Sequence, residues 1–94
     1  MSNIINLNEE RKFTSKEIAE WTNKEHFIVL RDIKDEIEKL NNGNMLEFAE
    51  YNFVLGDYID INNQKRPQYL LTKEGVQQIA MRYDAVIRAK VNIK

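Results

Sequence analysis

The residues of this chain that are best suited to a chemical role are basic side chains, which can bind phosphate groups and base edges. Four of them lie within one short stretch: Lys24, His26, Arg31 and Lys34. Two more, Lys65 and Arg66, are neighbours further along the chain. Lysine and arginine neutralise phosphate charge, and arginine also hydrogen-bonds guanine in the major groove. The spacing therefore predicts a nucleic-acid surface made of two separate segments.

The sequence offers little for catalysis or for metal binding. His26 is the one histidine and there is no cysteine, so neither a thiolate nor a histidine pair can hold a metal. A lone histidine at a helix start is more often a packed or capping residue than a ligand. Asp32, Asp35 and Glu36 are spread around a helix, and no glycine-rich phosphate loop is present. We therefore expect no enzyme activity, no catalytic residue, no metal site and no cofactor.

Length and charge indicate one small domain with an uneven charge distribution. The chain has 94 residues, no signal-peptide pattern and no apolar run of membrane-spanning length, which fits a cytoplasmic protein. The net charge of −1 combines a balance of −6 over residues 1–60 with +5 over residues 61–94. Either the basic C-terminal third meets phosphate, or the two parts attract each other within one chain or between chains.

The elements that must position these side chains begin with a helix-turn-helix over residues 14–40, after an N-terminal arm at residues 1–12. Thr14 and Glu17 have the spacing of a capping box, and Asn23 suits the tight turn. The second helix is predicted from about Lys24 to Leu40, where apolar residues recur at helical spacing. The polar segment 41–44 (NNGN) ends it.

A β-hairpin over residues 53–71 and a last helix over residues 72–90 follow. Pro67 cannot donate to a strand ladder, so its strand is predicted to lie at a sheet edge. Gly75 is predicted to mark a close approach of two backbones. The element order predicts a small α+β domain of the winged helix-turn-helix type, with the hairpin as the wing. Because the last helix has no stop signal, either its end frays or the chain is the N-terminal part of a longer protein.

Three parts of the sequence, in the same order, resemble the phage regulatory protein Rha family. They are residues 14–20 (TSKEIAE) with His26 and 29–33 (VLRDI), then 58–60 (YID), 65–67 (KRP) and 69–75 (YLLTKEG), and finally 81–83 (MRY). Together they span nearly the whole chain. The resemblance implies a phage or prophage gene that encodes a DNA-binding regulator in the cytoplasm of a bacterial host.

The start of the second helix departs from that family. Relatives typically carry glycine where Asn23 stands, a basic or polar residue at Glu25, and small polar residues at Phe27 and Ile28. These positions normally hold base-reading side chains. An exposed Phe beside an Ile suits a protein contact, and Glu25 repels a polyanion. The alternative is that the arm or the wing covers Phe27 and Ile28.

Two hypotheses of function follow. In the first, the protein binds duplex DNA through the six basic residues named above, as a homodimer formed by Tyr83, Val86 and Ile87 of the last helix. In the second, the same fold is a protein-interaction module, an antirepressor or an inhibitor of a host defence or regulatory protein. Its contact residues would be Phe27, Ile28, Tyr83 and Ile87.

Overall fold

The computed structural model describes residues 13–92, with side chains as far as residue 90, and it shows a small α+β domain. Its elements are β1 (Phe13–Thr14), α1 (Ser15–Thr22), α2 (His26–Asn42), α3 (Leu46–Asn52), β2 (Phe53–Ile59), β3 (Lys65–Leu71), α4 (Lys73–Ala80) and α5 (Ala85–Asn92). The strands form one antiparallel sheet. The predicted arm at residues 1–12 lies outside the described residues. No helix in the described part is long and apolar enough to cross a membrane.

Helix α1 and the turn after it form as the local sequence predicts. The Glu17 backbone N–H donates to Thr14 Oγ1 at 3.1 Å, and the Thr14 N–H donates to Glu17 Oε1 at 2.9 Å, which completes the capping box. Asn23 has φ 57° and ψ 37°, the left-handed conformation expected at the turn. Helix α2 then begins at His26, slightly later than predicted, and ends at Asn42.

The core lies between α1, α2, α4 and the sheet. Val29 and Ile33 of α2 are fully buried, as their helical spacing predicts. The other fully buried large apolar side chains are Ile18, Leu71 and Ile79. Burying each of these side chains contributes roughly 1.5–3 kcal/mol, so the cluster holds α2 firmly against the rest of the domain.

Strand β3 is the central strand, so the prediction that Pro67 lies on an edge strand is wrong. Strand β1 pairs with Leu70 and Leu71 alone, and therefore leaves Pro67 uncovered on that side. The Tyr69 N–H points to the same side, where it donates to Ser15 Oγ at 3.0 Å. Backbone groups alternate sides along a strand, so an N–H at position 67 would also point away from β2. Pro67 therefore removes no hydrogen bond from the β2–β3 ladder.

Helix α3 occupies a segment to which the sequence pattern assigned no element. It buries Ala49 and Asn52. The Asn52 amide donates to the Phe48 carbonyl at 2.8 Å, and Asn52 Oδ1 accepts from the Thr72 hydroxyl. Gly75 of α4 packs directly on this residue, because a Cβ at Gly75 would be 2.5 Å from the Asn52 carbonyl oxygen. The predicted close approach of two backbones at Gly75 is confirmed.

The C-terminal region contains two helices, whereas the sequence predicts one continuous helix over residues 72–90. Helix α4 ends at Ala80, and the backbone N–H groups of Arg82 and Tyr83 close a turn by donating to Ile79 and Ala80. The Asp84 carboxylate accepts the Ile87 N–H at 3.0 Å and caps α5. Burial of Tyr83 in the core and the cap at Asp84 together explain why the helix breaks here.

Candidate nucleic-acid interface

The outer side of α2 is a row of exposed side chains that turns away from the core. Its members recur at spacings of three and four residues, which places them on one helix face: Phe27, Arg31, Lys34, Glu38 and Asn41. Within the described part of the chain, the side chains of Arg31 and Lys34 make no hydrogen bond or ion pair. We call this row the α2 ridge, and it offers two unpaired cations to an anionic partner.

The acidic side of α2 is paired with the C-terminal region. Arg82 donates to Asp35 Oδ2 at 2.9 Å and to Glu36 Oε1 at 3.0 Å, and Gln78 donates to Glu36 Oε2 at 2.8 Å. Hydrogen bonds from Arg82 and then from Lys39 lower the pKa of Asp35. The acidic and basic parts of the sequence therefore attract each other within one chain. As a result, part of the negative charge of α2 is neutralised away from the α2 ridge.

His26 joins α2 to α1 and to the sheet. Its Nε2 is 2.8 Å from Ser15 Oγ, which also accepts the Tyr69 backbone N–H. Burial, followed by the charge of Lys16, lowers the pKa of His26. This arrangement fits a neutral ring whose Nε2 accepts the Ser15 proton. The sequence predicts that His26 faces DNA, whereas its Nε2 is engaged with Ser15 inside the domain.

The Ser15–His26 contact has the distance of a nucleophile and its base, but not the access that a nucleophile needs. Ser15 is fully buried, with 0% of its surface exposed. Its hydroxyl oxygen is also occupied by the Tyr69 N–H. Ser15 therefore has a structural role: its hydrogen bond from Tyr69 extends the β1–β3 pairing, and its contact with His26 fixes the start of α2.

The hairpin tip is organised by Asp60. Its Oδ1 accepts the backbone N–H groups of Asn62 and Gln64, each at 2.9 Å, and its Oδ2 accepts from Arg66 Nε at 2.9 Å. The hydrogen bond from Arg66, followed by that from the Gln64 backbone, lowers the pKa of Asp60. Arg66 thus stabilises the turn, whereas the exposed Lys65 makes no hydrogen bond or ion pair with any other described residue.

Tyr58 connects the hairpin with the helix pair. It lies opposite Arg66 in the β2–β3 ladder, and its ring centroid is 5.9 Å from that of His26. Lys16 Nζ lies 4.2 Å from the Tyr58 ring centroid. Lys16 is an exposed cation between the helix pair and the hairpin, and it is not among the site residues predicted from the sequence. No local sequence pattern reveals this position, because it depends on how the hairpin packs beside α1.

Three of the remaining predicted site residues pack within the domain: Lys24, Tyr83 and Ile87. Lys24 is half-buried, and its Nζ lies 5.2 Å from the ring centroid of Tyr83, so it packs on the C-terminal region. Tyr83 is itself buried, and its hydroxyl donates to Asp32 at 3.3 Å. The prediction that Tyr83 offers an interaction face is therefore wrong, because the turn before α5 directs its ring into the core. Ile87 packs against the same core and is only half-buried.

Phe27 is accessible, with 64% of its surface exposed, whereas Ile28 is half-buried. Among the described residues nothing covers Phe27, so the predicted cover by the wing is wrong, whereas the predicted arm lies outside the described residues. An exposed aromatic ring at the start of α2 stands beside the two unpaired cations of the α2 ridge.

The fold and this surface define a small α+β domain whose second helix presents an exposed aromatic ring and two unpaired cations beside a hairpin. Residues 13–94 match the family model described as phage regulatory protein Rha. The chain belongs to this family, which suggests a regulatory role in a phage. No curated protein and no solved structure matched the chain.

Proposed function

We propose that this protein is a phage regulator that binds duplex DNA as a winged helix-turn-helix. In this proposal α1 and α2 form the helix-turn-helix, and the β2–β3 hairpin is the wing. The observation that carries the proposal is the α2 ridge, where Arg31 and Lys34 are exposed and unpaired within the described part of the chain. Membership of the Rha family supports the regulatory role.

The charge distribution supports a binding mode in which the α2 ridge and the hairpin face DNA. Asp35 and Glu36 are paired with Arg82, so they oppose a polyanion less than their number in the sequence suggests. Arg31 and Lys34 would enter the major groove, where basic side chains contact bases or phosphates. Lys65 on the hairpin and Lys16 beside Tyr58 would contact the phosphate backbone.

Lys24, His26 and Arg66 have a different role in this proposal. Each makes a contact within the domain, to Tyr83, Ser15 and Asp60 respectively. They would orient the start of α2 and the hairpin tip, with Arg66 retaining enough exposure to reach a phosphate as well. We also propose that the protein acts in the cytoplasm of its bacterial host and catalyses no reaction.

Equilibrium titration of labelled duplex DNA by fluorescence anisotropy, at low and at moderate salt, tests DNA binding. The Arg31→Ala, Lys34→Ala double variant and the Lys65→Ala variant should bind more weakly at both salt concentrations. The matched control is Lys73→Ala, an exposed lysine just beyond the other end of β3. Absence of binding at low salt, or an equal loss in the control, would refute the proposal.

A second candidate function is supported by the exposure of Phe27. In this alternative the protein captures a host or phage protein and acts as an antirepressor or as an inhibitor of host defence. A single exposed aromatic ring is a common anchor of protein interfaces. Val86 provides a matched control, because it is also 64% exposed but lies on α5.

Affinity capture from the bacterial host separates this alternative from DNA binding. The Phe27→Ala, Ile28→Ala double variant should lose a specific partner, whereas Val86→Ala should retain it. Nuclease treatment before capture removes partners that are held only through DNA. Recovery of the same proteins with the wild type and the double variant would count against a protein-binding role for this face.

A further inference from the structure

Strand β2 presents an open edge to solvent. In the sheet order β1-β3-β2 its outer side has no neighbouring strand among the described residues. The strand runs from Phe53 to Ile59 and contains no lysine, arginine or proline. These residues, together with bulges, are the usual protection of an edge strand against pairing with another chain. Asp57 is the only charged residue of this strand.

The backbone groups that point outward from β2 follow from the hydrogen bonds of β3. The Tyr69 N–H points away from β2, to Ser15, and Tyr69 lies opposite Leu55. Leu55 and Tyr69 are therefore a non-hydrogen-bonded pair, in which the N–H and C=O of each residue point away from the opposite strand. By alternation Leu55, Asp57 and Ile59 direct these groups toward the open edge.

Apolar side chains accompany this free backbone. Leu55 is 62% exposed and Ile59 is 60% exposed, and the two lie on the same face of the strand. Among the described residues, one side chain donates to the outward backbone of this strand, and its hydrogen bond is long: the Gln68 amide lies 3.3 Å from the Asp57 carbonyl. It crosses over Gly56, which lies opposite Gln68 and has no side chain to block it. The open edge therefore combines exposed apolar side chains with backbone groups that have only one weak hydrogen bond from a described side chain.

We propose that β2 pairs antiparallel with β2 of a second copy of this chain, about a two-fold axis at Gly56. The edge is self-complementary in this register. Leu55 lies opposite Asp57 of the second copy, and each such pair exchanges two backbone hydrogen bonds. The two Asp57 carboxylates avoid facing each other directly, as they would if the axis passed through Asp57. The long Gln68 bond is released when the second strand docks.

Side chains on both faces fit the same register. On one face Leu55 lies diagonal to Leu55 and Ile59 of the second copy, within reach of long apolar side chains. On the other face Val54 lies opposite Tyr58 of the second copy, and the two glycines meet at the axis. The two sheets would join into one continuous sheet, an isologous interface of the kind that closes a dimer. This inference is independent of DNA binding.

Single-cysteine cross-linking tests the register, because the natural chain has no cysteine. A Cβ built at Gly56 meets only Leu70 side-chain atoms, at 3.8 Å and beyond, so Gly56→Cys fits the fold. Across the proposed interface the two Gly56 Cα atoms form a non-hydrogen-bonded pair about 4.5 Å apart, a separation that a disulfide spans. The Gly56→Cys variant should form a disulfide-linked dimer under mild oxidation.

The control variant is Ile61→Cys. Ile61 is 98% exposed, so random collisions would cross-link it at least as fast. In the proposed dimer, however, the two copies of this residue lie far from the axis. Faster cross-linking through Gly56→Cys supports the register, and equal or faster cross-linking through Ile61→Cys overturns it.

Sedimentation equilibrium of the full chain without DNA tests the interface by a separate route. The wild type should dimerise, and Leu55→Lys should weaken dimerisation at least about tenfold, as lysine protects natural edge strands. Val86→Lys, which adds the same charge at an equally exposed apolar site on α5, should leave the dimer intact. A wild type that stays monomeric, or a dimer that Leu55→Lys does not weaken, would overturn the proposal.

Discussion

Substituting Gly75 by alanine should destabilise the protein, although alanine is the better helix residue. The new Cβ would lie 2.5 Å from the Asn52 carbonyl oxygen and 3.3 Å from both the carbonyl carbon and Cβ of Asn52. The first of these is a backbone atom that cannot rotate away. Relief therefore requires α3 and α4 to separate by at least about 0.5 Å, given ordinary contact distances.

The size of the effect follows from three contributions. Overpacking of a buried contact costs about 1–3 kcal/mol. Separating the helices also strains the buried hydrogen bond between Asn52 and Thr72, worth about 1 kcal/mol. Helix propensity offsets these losses by about 0.5–1 kcal/mol. The free energy of unfolding should fall by about 2 kcal/mol, which corresponds to a melting temperature lower by about 8–16 °C.

Chemical denaturation followed by far-ultraviolet circular dichroism measures this change. The same substitution at Gly56 is the matched control, because its Cβ would meet no atom closer than 3.8 Å. Gly56→Ala should change the unfolding free energy by less than about 1 kcal/mol. If Gly75→Ala were as stable as the wild type, the close packing of α4 on Asn52 would be refuted.

Three further predictions concern charge, pH and helix capping. Arg82→Ala should lower the melting temperature by a few degrees, and less at high salt, because it breaks ion pairs with Asp35 and Glu36. The pKa of His26 is lowered in the folded state, so its contribution to stability is complete above the unfolded pKa of about 6.5 and is lost as the pH falls below it. His26→Asn should remove this loss between neutral pH and about pH 5 in thermal melts. Thr14→Ala should cost about 1 kcal/mol in denaturation experiments, because the α1 capping box is lost.

Each of these predictions has its own control. Arg88→Ala removes another exposed arginine, from α5, and should leave the melting temperature nearly unchanged. Thr14→Ser keeps the capping hydroxyl and should retain most of the stability. A wild-type melting temperature that does not change between neutral pH and about pH 5 would contradict the role given to His26.

Local chemistry explains which parts of the fold the sequence predicts. The capping box of Thr14 and Glu17 and the turn at Asn23 depend on residues that are neighbours in sequence, and both are present. Helix α3 was not predicted because it is short and no side chain caps its start. Much of its support comes from Asn52, whose partner Thr72 is distant in sequence. The break before α5 likewise depends on the burial of Tyr83, which no local pattern shows.

In the candidate site, too, local spacing predicts the position of some residues, whereas tertiary contacts decide the position of others. Helical spacing alone places Arg31 and Lys34 on the outer side of α2, and both are exposed. The sequence also predicts Lys24 and His26 on this surface, but their contacts are with Tyr83 and Ser15, which a helical projection cannot reveal. The position of Lys16 also depends on tertiary structure, since it lies over a tyrosine of the hairpin.

The salt dependence of duplex binding tests the proposed function most directly. For a protein held by phosphate contacts, the logarithm of the affinity falls linearly with the logarithm of the salt concentration, with a slope of about −0.9 per phosphate neutralised. The wild type should show such a slope, and Arg31→Ala and Lys65→Ala should each reduce its magnitude by about one if that residue contacts phosphate. A duplex affinity that does not change with salt, or a slope that neither variant reduces, would contradict DNA binding through the α2 ridge and the hairpin.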